Sequence, residues 1–161
     1  MLERGAVLVR RKLITMNGAP LIRVTGTNGR VSGSGTLLSE NPSHRGVLNI
    51  GPVNLTAYDN VEFNTVDGIH IEGAGAGAAV DCFSKVDGPV TCTGIHMDSS
   101  EPFVGGACYE NVVKDVTISG VDAGVYMGKY VNANQLSGVM MGVIGRYGYL
   151  LVNNTENSVF G

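Results

Sequence analysis

The sequence predicts an all-β chain wound as a parallel solenoid, and three observations predict it. Four segments share the pattern glycine, apolar, any residue, apolar: Gly68-Ile69-His70-Ile71, Gly94-Ile95-His96-Met97, Gly124-Val125-Tyr126-Met127 and Gly148-Tyr149-Leu150-Leu151. Their leading glycines lie 26, 30 and 24 residues apart, a period that marks stacked supersecondary units. A second phrase recurs after 51 residues, as Tyr58-Asp59-Asn60-Val61 and Tyr109-Glu110-Asn111-Val112. Glycine supplies 24 of the 161 residues, roughly twice its usual share of about 7%, and good helix formers never gather into a block.

Each phrase reads as a strand of three to five residues bounded by Gly and Asn turns that tolerate left-handed backbone. A strand this short cannot hold a hairpin alone. Stacking successive turns of the chain about 4.8 Å apart gives every strand two hydrogen-bonded neighbours and sets like residues in columns. Stacking the four phrases gives inward columns Ile69, Ile95, Val125, Tyr149 and Ile71, Met97, Met127, Leu151. The outward column between them is His70, His96, Tyr126 and Leu150, followed by Glu72, Asp98, Gly128 and Val152. Val116-Thr117-Ile118, Val139-Met140-Met141 and Val159-Phe160 are further strand fragments. On this reading the leading glycines are turns that count the coils. An antiparallel sandwich or barrel also spaces its strands by about 8–12 residues, but does not repeat phrases at this longer interval.

The remaining composition mainly excludes. No run approaches the ~20 apolar residues of a membrane span, and Met1-Leu2-Glu3-Arg4-Gly5 lacks the apolar core and cleavage site of a signal peptide. Cys82, Cys92 and Cys108 are odd in number and show no CxxC spacing, so buried thiols are expected rather than a disulfide framework or a zinc site. No metal or cofactor is implied. Charge is uneven: residues 1–30 carry a net +5 and residues 31–161 a net −8, within a total of −3. The basic segment alternates apolar residues and has no aromatic, which argues against nucleic acid binding. It is expected to form edge strands or a cap over 1–30 that docks to a larger, acidic assembly, with the solenoid over 31–161. The last phrase breaks off at Val159-Phe160-Gly161, as in a fragment of a longer solenoid or an end covered by another subunit.

These columns resemble the right-handed parallel β-helix of the pectate-lyase-like superfamily, which includes polysaccharide lyases, polygalacturonases and the trimeric tailspikes of bacteriophages. The resemblance covers about residues 20–161 and implies roughly four to six short coils. The local match to polygalacturonases is broken. Asn64-Thr65-Val66-Asp67-Gly68 is similar to their Asn-Thr-Asp-Gly phrase with Val66 inserted, and Val80-Asp81-Cys82 resembles Asp-Asp-Cys with its first aspartate replaced. Thr93-Gly94-Ile95-His96 is not Gly-His-Gly, and Arg-Ile-Lys is absent.

Glycoside hydrolysis needs two carboxyl groups at a fixed separation, and Asp67 and Asp81 are the candidates. The competing reading of Asp67-Gly68 is turn chemistry, with the carboxylate bonded to nearby backbone N–H groups. A lyase needs a base beside a group that neutralises a uronate, for which His70 and His96 are candidates. Together with Glu72, Asp98 and Tyr126 they form an expected glycan-binding strip, polar groups beside an aromatic face. The bland alternative is an ordinary solvated or subunit-facing surface. The resulting expectation is a structural and surface-recognition component similar to part of a tailspike or tail fibre, in a virion or on a cell surface. It is expected to be homotrimeric and to bind host-surface glycan. The alternatives are a polysaccharide-degrading hydrolase or lyase, and a purely architectural piece.

Overall fold

The computed structural model describes residues 6–17, 19–41, 46–52, 60–74, 90, 92–98, 107–152 and 157–161. The described residues are all-β, and every strand pair in them is parallel. Parallel neighbours require the chain to return to the same end each time, and here it does so by lying over its own previous turn.

The first sheet gives the levels in order: β1 (Ala6–Val9), β4 (Arg30–Gly33), β8 (Thr65–Asp67), β12 (Val112–Lys114), β15 (Gln135–Ser137) and β17 (Ser158–Phe160). These six strands mark six levels, within the range the sequence predicts. A short second sheet stacks β7 (Val61–Glu62), β11 (Cys108–Tyr109) and β14 (Val131–Asn132). The third is continuous at two levels, as β13 (Thr117–Met127) and β16 (Met140–Leu151). At the other levels it is split into β2 (Leu13–Thr15) and β3 (Ile22–Val24), β5 (Thr36–Ser39) and β6 (Leu48–Ile50), and β9 (His70–Glu72) and β10 (Thr93–Met97). Both halves of a split level pair with one long strand, since β9 and β10 both flank β13. The basic first segment forms β1, β2 and β3 and starts β4, paired in register with the rest.

The register corrects the predicted columns. His96 pairs with Tyr126 and Tyr126 with Leu150, as expected. His70, however, pairs with Thr36 and Thr117, and Ile71 with Leu37 and Ile118. The phrases at Gly68 and Gly94 lie in one coil and cannot stack on each other. The second repeat is also displaced: Val61 pairs with Cys108, so Asn64, not Asn60, is the equivalent of Asn111. The leading glycines differ in role. Gly68 is a left-handed turn residue with φ 73°, whereas Gly94, Gly124 and Gly148 lie inside β10, β13 and β16. There they admit close neighbours, since a Cβ at Gly94 would fall 2.5 Å from Ile118 Cγ2.

Two left-handed corners bend each of four successive coils. Asn28, Phe63, Glu110 and Ala133 take φ of 58°, 56°, 53° and 52° at equivalent places, and Gly33, Gly68, Asp115 and Gly138 do so one strand later. Directly after the first corner an asparagine turns inward, and four of them stack. The Oδ1 atoms of Asn64, Asn111, Asn134 and Asn157 accept from the backbone N–H of Gly29, Asn64, Asn111 and Asn134 at 2.6, 3.1, 3.0 and 2.9 Å. Their Nδ2 groups donate to the carbonyls of Gly26, Val61, Cys108 and Val131 at 2.9, 3.0, 3.2 and 2.7 Å. Each amide thereby satisfies backbone groups that the corner takes out of the sheet, fully buried at Asn64, Asn111 and Asn134 and half-buried at Asn157.

Inside the stack Val31, Val66, Val113 and Leu136 form one buried column, and Leu37, Ile71 and Ile118 another. Burial of each such side chain contributes about 1.5–3 kcal/mol. Where β13 runs through the break seen at other levels, the register shifts between Val121 and Ala123. Asp122 is buried at that bulge and receives Arg146, whose Nε lies 2.8 Å from Oδ1 and whose second terminal nitrogen donates to Oδ2. Cys92 and Cys108 are buried thiols, as expected, and Cys82 lies outside the described residues.

Replacing Asn111 by Ala strands the Asn64 N–H and the Val61 carbonyl in the interior. The expected loss is about 3–5 kcal/mol in urea unfolding followed by circular dichroism, against about 1–2 kcal/mol for Asn157→Ala at the half-buried top of the stack. Burial, and next the charge of Asp98, push the Cys108 thiol far above its ordinary value of 9.0. The folded state therefore holds a proton that the unfolded chain releases, so this contribution to stability is whole below about pH 9 and is lost as pH rises beyond it. Urea midpoints should fall more steeply above that pH in the wild type than in Cys108→Ala.

Candidate functional site

The outward face of the third sheet brings three predicted residues together. His96 on β10 lies between Asn49 of β6 and Tyr126 of β13, in a register row that continues to Arg23 and Leu150. Its ring stacks on Tyr126, with centroids 4.4 Å apart and planes 13° from parallel. Nε2 lies 2.7 Å from Asp98 Oδ2. A carboxylate only accepts, so Nε2 donates to it, and Nδ1 is the second polar atom of the ring. That Nδ1 is buried without a hydrogen-bond partner, as is Asn49 Oδ1 beside it. Gly46, at φ 117°, closes over both residues.

The imidazole itself is only 4% exposed. An Asp-oriented histidine is the usual arrangement of a general base, but a base sealed this deeply cannot reach a polymeric substrate. In this arrangement Asp98 and Tyr126 fix the ring.

The other two members of the expected strip lie elsewhere, because β9 and β10 belong to one coil. His70 is exposed between Thr36 and Thr117. Glu72 sits between Leu38 and Ser119 and pairs with Lys12 at 3.1 Å. Together these residues make a second outward patch of hydroxyls, one imidazole and one carboxylate.

Asp67 ends β8 on the outside of the first sheet. Its Oδ2 lies 3.2 Å from Arg30 and 3.4 Å from Lys114, one cation on the strand below and one on the strand above. The turn at Gly68 is as expected, but the carboxylate serves these two side chains rather than backbone N–H groups. Asp81 lies outside the described residues, and with it the Asp67–Asp81 pair. Among the described residues no group of three or more His, Cys, Asp or Glu is placed to hold a metal ion.

Sequence reasoning missed Asn49 and the asparagine stack. Asn111, Asn134 and Asn157 recur every 23 residues, a signal that was present but read as turn chemistry.

A Cβ on Gly46 would collide with Asn49 Oδ1 and lie 2.7 Å from His96 Cβ. Gly46→Ala is expected to destabilise by about 2–4 kcal/mol, combining backbone strain with overpacking. It should also remove the ring-current shifts that Tyr126 imposes on His96 in proton NMR spectra.

No protein-family model matches the chain, and neither does any curated protein or solved structure.

Proposed function

We propose that the chain is a structural and surface-recognition β-helix, similar in character to part of a bacteriophage tailspike or tail fibre, that binds host-surface glycan. The observation that carries this reading is the outward patch on β5, β9 and β13, where the exposed His70 lies between the half-buried Thr36 and Thr117 on successive levels, beside the half-buried Glu72 and Ser119. Strands about 4.8 Å apart present hydroxyl, imidazole and carboxylate groups in fixed rows, suited to a chain of sugar hydroxyls. Rigidity supports it as well, since side chains locked on a hydrogen-bonded sheet lose little freedom on binding.

Single contacts of this kind are weak, and a homotrimer presenting three patches gains avidity without new contacts. Met140, Val143 and Phe160 supply exposed apolar surface on β16 and β17 for such association. The corresponding location is a virion tail or an extracellular surface, with the exposed Arg10 and Arg11 free to meet an acidic neighbour. A hydrolase or lyase is the weaker reading, because His96 is sealed and Asp67 is engaged by two cations.

Glycan-array binding combined with light scattering tests the reading. The expected result is a trimer that retains particular bacterial surface glycans without releasing reducing ends or unsaturated products, with affinity falling about fivefold or more in His70→Ala. Product release would replace recognition with catalysis. A monomer that binds no glycan would leave a purely architectural piece.

A further inference from the structure

The first left-handed corner places two demands on the sequence, and at one level they meet in a chemically labile pair. The corner residue must accept positive φ, which asparagine tolerates, and Asn28 takes φ 58° there. The residue after it must lie close to the asparagine of the next level: a Cβ on Gly29 would fall 2.8 Å from Asn64 Oδ1. The equivalent corners hold Phe63-Asn64, Glu110-Asn111 and Ala133-Asn134, so among them only Asn28 is an asparagine followed by glycine. Asn17-Gly18 is the chain's other pair of this kind, and Gly18 lies outside the described residues.

An Asn-Gly pair is disposed to deamidation, because glycine has no Cβ to hinder its nitrogen from reaching the preceding side chain. In that step Gly29 N forms a bond to Asn28 Cγ and gives up its proton, while the Cγ–Nδ2 bond breaks and ammonia leaves. Water then opens the cyclic imide. Hydrolysis at Cγ leaves aspartate. Hydrolysis at the main-chain carbonyl leaves isoaspartate, whose backbone runs through Cγ and is longer by a carbon.

In the folded chain the attacking nitrogen is occupied. Gly29 N–H donates at 2.6 Å to Oδ1 of Asn64, a residue 1% exposed, whereas Asn28 itself is exposed. The same corner is tied to the next level by three further bonds. Asn28 N–H donates to the Glu62 carbonyl at 3.1 Å, Thr65 N–H to the Gly29 carbonyl at 2.9 Å, and Asn64 Nδ2 to the Gly26 carbonyl at 2.9 Å. A backbone lengthened between Asn28 and Gly29 cannot keep all of these in register.

We propose that Asn28 is a covalent modification site gated by Asn64: deamidation proceeds only when the Gly29 N–H leaves Asn64 Oδ1, and the resulting isoaspartate prevents the corner from closing again. Local opening of this kind is a normal excursion of a native chain, and here one that ends in reaction is recorded permanently. The tie between the Gly26–Gly29 corner and the level of Asn64 is then lost. The site lies between β3 and β4, apart from the glycan patch on β9, and does not depend on that reading.

The test incubates the whole chain in native buffer and in urea. Mass spectrometry and chromatography follow the tryptic peptide that ends at Arg30, and NMR follows hydrogen exchange at the Gly29 amide. The unfolded chain is expected to deamidate at Asn28 at least tenfold faster, and the slowing in the folded chain to match the exchange protection of Gly29 within about threefold. Asn64→Ala should raise the native rate about fivefold or more, and the exchange comparison decides the matter where that variant does not fold. The isoaspartate form, separated by ion exchange, is expected to lose the Gly29 protection and about 3–6 °C of Tm. Asn28→Gly keeps the left-handed corner, and its Tm should hold through the same incubation. Equal rates in folded and unfolded chains, no reaction in either, or a native rate unrelated to Gly29 protection would overturn the proposal. So would an isoaspartate form with the wild-type Tm, or an Asn28→Gly chain that loses Tm as fast as the wild type.

Discussion

The asparagine stack is the interaction on which the rest depends. A coil that turns sharply must take backbone N–H and carbonyl groups out of its sheets, and at the buried Asn64, Asn111 and Asn134 those groups face the interior. The asparagine amide supplies a donor and an acceptor on separate atoms, so it can serve an N–H and a carbonyl at once. Asn64, Asn111, Asn134 and Asn157 use both ends, each joining its own level to the level below. The corner is therefore a place where adjacent levels are tied, and the strands on either side inherit their register from it. With register fixed, Val31, Val66, Val113 and Leu136 fall on one another, and so do Leu37, Ile71 and Ile118.

Much of the architecture was legible in the sequence because a stacked fold writes its columns as repeats. In the upper half of the third sheet the register is as expected, since only a one-residue bulge is added to a bare coil between Gly124 and Gly148, but Leu151, expected to point inward, is 45% exposed. The lower half was misread for a physical reason. The bare coil is 23 residues long, as Asn111, Asn134 and Asn157 show, but the step from Asn64 to Asn111 is 47. Residues 73–92 lie between β9 and β10, so a 26-residue interval inside one coil resembles the distance between two. Periodicity of residue type cannot separate those cases. The asparagines do separate them, because their spacing follows hydrogen bonding between levels rather than chain length.

The candidate sites were legible in part, and the limit is again register. His96 and Tyr126 meet because β10 and β13 pair without a shift there, and Asp98 follows two residues after His96. His70 and Glu72 were placed with them on a false equivalence. Burial was not legible at all: nothing in Gly94-Ile95-His96-Met97 announces that the imidazole is sealed while the one in Gly68-Ile69-His70-Ile71 is open. The difference arises from neighbours distant in sequence, among them Gly46. Phe63 was equally silent, since a left-handed backbone at phenylalanine is imposed by the corner and not by the residue.

The split in the third sheet has a consequence for how such a chain changes over time. Intervening segments of increasing length, 16–21, 40–47 and 73–92, all fall at the same point around the coil, and at β13 the same point is spanned directly with a bulge. A closed loop costs only about 0.6 kcal/mol more for each doubling of its length, and none of these segments interrupts the asparagine stack or the inward columns. That side of the molecule works as a splice site in the fold, where sequence can be added or removed while the load is carried elsewhere. New surface chemistry can be acquired there without re-solving the problem of folding.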